Sequence, residues 1–365
     1  MKPQTLAILA LLLAGLGAFY FYLQRPEKID QNQLYTQIVP KLDVNDIVEI
    51  NASGPPSDSK GGHPLALVKK DGRWLVQKRE KNEPYWVPAK ENKVKRLVSS
   101  LSGLTGEKRA SSKDLLATFS LDKDHAMIIT LKKKEGGKIS IEVGKRGPQW
   151  NSSFVKLPGS NNVYLCSQNL LSLFDIWSET PTGNPEPGPW TDKTIIAEGP
   201  GEVEGVSYSR GTLEWSLVAQ AGDERSKNRE GSPAEQKKAH DYQKFILNYN
   251  GESSPRTEEE ARKILQSFLP LYADDVVNPA SAADYGLGPG QQTGRLTIHL
   301  KGKGVKILHI GRVDEKSQKG WIRDDKGTIF EVASNIIKKI ENPLEEDKKA
   351  QKPGDKHAQI LGTGK

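Results

Sequence analysis

The sequence predicts an α+β protein in which an N-terminal transmembrane helix is followed by two repeated lobes, each an antiparallel sheet packed against a helix. Three observations predict it. An uncharged apolar run fills Leu6 to Leu23. Runs of period-two alternation appear twice in the same order, as antiparallel strands with one buried and one wetted face require. Each set carries an amphipathic helix pattern beside it.

The repeat organises the chain. Tyr285-Gly286-Leu287, Arg295 to Leu300, Val305 to Gly311, Trp321 to Arg323, Thr328 to Val332 and Ile336 to Ile340 follow one another in the second half. Phe119-Ser120-Leu121, Met127 to Leu131, Ile139 to Gly144, Phe154 to Lys156, Val163 to Cys166 and Leu170 to Phe174 match them in the first. The offset is about 167 residues, as from Gly144 to Gly311, and an internal repeat of this length dictates the architecture. Leu296, Ile298 and Leu300 are expected to face a core together with Leu308 and Ile310. Ile129, Leu131, Ile139, Ile141 and Val143 do so in the first lobe.

In chain order, residues 1–5 form a short cytoplasmic head and 6–23 the anchor. A helix of roughly 18 residues spans about 27 Å, close to the hydrocarbon thickness of a bilayer. Tyr20 and Tyr22 stand where an interfacial aromatic belt would sit, and Arg25-Pro26 closes the helix. A cleaved signal peptide is the alternative, since Gly15 and Gly17 are small; the aromatics directly after them argue against a cut. The foldable sequence all follows the anchor. The body is therefore expected outside the cytoplasm, in a single-pass protein of the cytoplasmic (inner) membrane.

Residues 24–45 read as a tether and 46–178 as the first lobe. Ile47 to Ile50 and Leu65 to Val68 are strands, and Asp71-Gly72 turns the chain into a third at Trp74 to Val76. Val94, Leu97, Val98 and Leu101 recur at helical spacing. Residues 179–190, with prolines at 181, 185, 187 and 189, read as an extended linker. The second lobe occupies 191–343, with strands at Val203 to Tyr208, Leu213 to Val218 and Lys244 to Leu247. A polar insertion at 221–241 is expected to be a mobile loop. Thr257 with Glu260 reads as a capped helix start ahead of Ala261, Ile264, Leu265 and Phe268. The tail 344–365 lacks a core pattern and is expected to be disordered.

Chemistry is sparse. The net charge of +7 is modest, and bases alternate with acids along most of the chain, which argues against a nucleic-acid partner. The lone Cys166 aligns with Val332 and reads as a small buried hydrophobe. The six histidines are scattered without a ligand spacing. His299 and His309 fall on neighbouring strands, but a tight hairpin puts His309 nearer Leu296. Gly286, Gly288 and Gly290 precede a strand, which is the wrong context for a nucleotide loop. Asp274-Asp275 and Glu258-Glu259-Glu260 read as caps and solvated ends. No catalytic, cofactor-binding or metal-binding residue is assigned, no cofactor is expected, and the expectation is a protein that is not an enzyme.

The anchor, the Asp71-Gly72-Arg73-Trp74 strand, the Tyr285-Gly286-Leu287 turn, the Ile307-Leu308-His309-Ile310-Gly311 strand and the duplicated lobe together resemble a bacterial family catalogued as domain of unknown function "forty-three forty". The resemblance covers most of residues 1 to 343, apart from the 221–241 insertion. Phe119-Ser120-Leu121 departs from it by lacking the glycine. The resemblance implies a membrane-anchored extracytoplasmic accessory or scaffold protein with a protein partner in an ABC-type transport complex of the gliding class. It implies no catalytic residues. Two other readings are an envelope polysaccharide-binding module using Trp86, Trp150 and Trp321, and an enzyme with a site between the lobes.

Overall fold

A computed structural model describes residues 35–55, 62–220 and 245–344, together with Gly15. The expected head and insertion, the anchor apart from Gly15, the start of the tether and the tail from residue 345 lie outside these. Among the described residues no helix is long and apolar enough to cross a membrane.

The protein is sheet-dominated α+β. Its elements run β1 (Tyr35–Gln37), β2 (Ile47–Ser53), β3 (Leu65–Lys70), β4 (Arg73–Glu80), β5 (Glu83–Pro88), α1 (Glu91–Leu101) and β6 (Thr105–Ala110). Next come β7 (Met127–Lys133), β8 (Lys138–Arg146), β9 (Ser153–Lys156), β10 (Val163–Cys166), β11 (Thr194–Ile196), β12 (Val203–Arg210) and β13 (Leu213–Ala219). Then follow β14 (Phe245–Tyr249), β15 (Glu252–Arg256), α2 (Glu258–Gln266), β16 (Leu271–Tyr272) and β17 (Asp275–Val277). The series closes with β18 (Gly294–Leu300), β19 (Gly304–Asp314), β20 (Lys319–Asp324), β21 (Ile329–Ala333) and α3 (Ser334–Glu341).

These elements form two compact units. The first is Met1–Ala66 with Asn92–Glu186, and the second is Leu67–Glu91 with Pro187–Lys365. In the first, the strand order is β1-β6-β10-β9-β8-β7-β2, antiparallel throughout. Alternation puts Met127, Ile129, Leu131, Ile141 and Val143 into the core, while Ile139, near the start of β8, is only half-buried. The α1 stripe Val94, Leu97, Val98 and Leu101 is buried as its spacing requires.

The second unit contains the meander β3-β4-β5 and a nine-stranded sheet in the order β15-β14-β13-β12-β18-β19-β20-β21-β17. The β3-β4 hairpin turns through Asp71 and Gly72, both at positive φ (51° and 78°), as a two-residue turn matched to strand twist demands. Thr257 and Glu260 close a capping box at the start of α2. Ala261, Ile264 and Leu265 are buried on α2, with Phe268 just past its end. α3 packs against β19, β20 and β21, burying Ile337 and Ile340.

Two segments differ from the sequence reading. Residues 67–91 group with the second unit, because Lys78 of β4 bonds Asp275 of β17 and Ala89 bridges Thr191. The Pro-rich stretch 179–190 is packed instead of extended and free: Pro181 and Pro185 are buried, and Gly188–Trp190 forms a 3-10 turn that fully buries Trp190. An indole of that size drives its own burial, whatever the prolines deny to hydrogen bonding.

Candidate functional site

The turn Tyr285-Gly286-Leu287 lies flat on β19. Gly286 holds φ at 71°, and a Cβ there would stand 2.9 Å from the Arg312 nitrogen. Opposite it, a Cβ on Gly311 would stand 2.3 Å from the Tyr285 carbonyl oxygen. Two glycines are thus needed for backbone to meet backbone. The turn then seats Leu287 in a cluster with Trp321 and Ile329, and Tyr285 stacks on Trp321 at 5.0 Å with the rings 20° apart. Trp321 is therefore buried, which corrects the expectation that it is an exposed sugar-stacking aromatic.

Basic groups surround this turn. Arg312 lies over the Trp321 ring, 5.5 Å from its centroid. Arg323 Nη1 donates to the Leu287 carbonyl at 2.7 Å. The register places Arg295, His309 and Arg323 directly opposite one another on β18, β19 and β20. Arg295 is exposed, and the other two are half-buried. Burial, then Arg323 and Arg295, hold the His309 imidazole below its ordinary pKa.

Beside the turn opens a cleft of about 640 Å³ lined by Arg210, Thr212, Gly286, Gln291, Gln292 and Arg312. Arg210 bonds Glu341 at 2.5 Å and the carbonyls of Ile310 and Gly311, so most of its charge is compensated. Its buried Nε–H finds no acceptor among the described residues. Among the described residues no group of three or more His, Cys, Asp or Glu is placed to hold a metal.

The family model for Domain of unknown function (DUF4340) matches residues 74–288, more than half of the chain. The chain belongs to this family. The DUF4340 match includes Trp74 and the Tyr285-Gly286-Leu287 turn but stops short of the Ile307–Gly311 strand. No curated protein and no solved structure matches the chain.

The other residues singled out in the sequence lie elsewhere. Cys166 is buried on β10, its Sγ 3.3 Å from the Ser153 carbonyl, and burial pushes its thiol up. His299 pairs with Val305, away from His309, which stands opposite Arg295. Trp86 and Trp150 are exposed, and the Arg146 guanidinium lies 4.2 Å from the Trp150 ring centroid. Asp275 is held by Lys78, and Glu258 and Glu259 form ion pairs within α2. Sequence reasoning missed the basic row, because its members stand 14 residues apart (295, 309, 323) and only the two hairpin registers align them.

Proposed function

We propose that the chain is a membrane-anchored extracytoplasmic accessory or scaffold protein that acts by binding a partner protein, beside an ABC-type transport system of the gliding class. The observation that carries this reading is the edge strand β1. Among the described residues it ends the strand order of the first unit, and Tyr35, Thr36 and Gln37 are all exposed. Outer strands are normally blunted against pairing, and β5 and β15 each carry proline. β1 is three residues long, carries neither proline nor charge and follows closely on the expected anchor. Such an edge suits strand addition by a partner held at the same membrane.

We also read 46–178 and 191–343 as two copies of one lobe. A Cβ on Gly144 would stand 2.1 Å from the Phe119 carbonyl, as one on Gly311 would meet Tyr285. Phe119 lies 4.6 Å from Phe154 and Tyr285 lies 5.0 Å from Trp321, centroid to centroid. Ser120, where the glycine is missing, still adopts φ 53°.

Affinity purification from detergent-solubilised membranes tests the proposal. A membrane transport component is expected to co-purify, and a Tyr35→Lys, Gln37→Lys double variant is expected to lose it. Failure to recover any partner would reject the accessory reading. A second reading, a polysaccharide module, draws on exposed Trp150 with its Arg146 neighbour and on exposed Trp177 in the same unit. Retention on immobilised envelope polysaccharide that Trp150→Ala abolishes would favour it.

A further inference from the structure

We propose that the row Arg295–His309–Arg323 receives a carboxylate from an acidic segment of the partner protein. The proposal rests on the partner-binding reading and names the chemistry of that partner. Directly opposed residues on antiparallel strands place their Cβ atoms about 5 Å apart, and like charges there repel. Arg295 and Arg323 flank His309 in this way on both sides. None of the three forms an ion pair among the described residues.

The first unit shows what such a row needs. There, the same straight line across three antiparallel strands is Ile128, Glu142 and Lys156. Glu142 and Lys156 bond at 2.6 Å, with side chains only 16% and 8% exposed. A carboxylate in the central position thus neutralises the cation beside it. The second unit has the cations and no carboxylate in that place. Arg323 is also oriented in advance: one of its N–H groups is spent on Leu287, which fixes the guanidinium plane. An acidic side chain docking over His309 would lie between two guanidinium groups. Charge complementarity therefore selects an acidic protein segment as the occupant.

The experiment uses the full chain in detergent and a fluorescent hexaglutamate peptide, read by anisotropy at low salt. Saturable binding is expected, weakened about tenfold or more by Arg295→Gln and by His309→Glu, as loss of a charge-assisted contact implies. His309→Glu should also raise Tm, because it supplies the carboxylate internally. Arg295 is exposed, so its variant keeps the test valid if His309→Glu folds poorly. Absence of saturable binding, or binding unchanged in the variants, would overturn the proposal. Competition by inorganic phosphate as effective as by the peptide would also overturn it and assign the row to a free anion. A partner that co-purifies while the peptide fails to bind rejects the row and keeps the accessory reading. Peptide binding that persists without any co-purified partner does the reverse.

Discussion

Lys78 Nζ stands 2.7 Å from both carboxylate oxygens of Asp275 and 2.8 Å from the carbonyl of Val276. One ammonium thus joins β4 to β17 within the second unit. The lysine side chain is 12% exposed and the aspartate 41%, so water can re-solvate the acid if the base is lost, but the Val276 carbonyl less readily. Lys78→Met is expected to lower stability by about 1.5–3 kcal/mol, the range for hydrogen bonds to charged groups. A shift of the urea midpoint without a change in slope would show it.

Gly311→Ala and Gly144→Ala should both destabilise, by about 1–3 kcal/mol, since each new methyl would meet a carbonyl oxygen of a packed turn. Gly205 provides the comparison. A Cβ there would have its nearest neighbour, the Leu217 carbonyl, at 3.5 Å, an ordinary contact. Thermal denaturation of the three variants should rank Gly205→Ala well above the other two.

His309 makes stability depend on pH. Its folded-state pKa lies below the ordinary histidine value, so the unfolded chain binds more protons around and below pH 6.5. Stability is then fully present above the unfolded pKa and falls as pH drops through the folded one. His309→Gln should flatten the acid side of a Tm-against-pH curve. An unchanged curve would show that other groups set it.

Cys166 is expected to resist alkylation in the native chain and to react at once after unfolding, because only the thiolate attacks and burial disfavours it. Cys166→Val should cost less than about 1.5 kcal/mol, as a swap of similar volume does. Val332, the residue with which Cys166 aligns in the sequence, is likewise buried.

The elements legible in the sequence are those whose pattern is written in side chains. Val94, Leu97, Val98 and Leu101 declare a helix, Thr257 with Glu260 declares its cap, and Leu296, Ile298 and Leu300 declare a buried strand face. β6 carries Thr-Gly-Glu-Lys-Arg-Ala, which has no apolar alternation; it is a strand because its neighbours β1 and β10 pair with it. β15 is polar and contains Pro255, and it forms as the outer partner of β14. Trp190 stands among prolines that signal a spacer, yet its backbone is held by chain 100 residues away, where the Lys90 amide donates to the Trp190 carbonyl. The basic row depended on register in the same way. His309 could be placed near Leu296, but its alignment with Arg323 required the second hairpin.

The chain passes into the second unit at Leu67, back into the first at Asn92, and over again at Pro187. Neither unit is therefore a contiguous cassette. A gene truncated near codon 186 would encode the β4-β5 hairpin without the strand that its Lys78 holds, and the complementary piece would keep Asp275 without its lysine. A single protease cut at the same place should leave two fragments that migrate together until denatured. The stretches before and after residue 186 should therefore complete the second unit only when both are present.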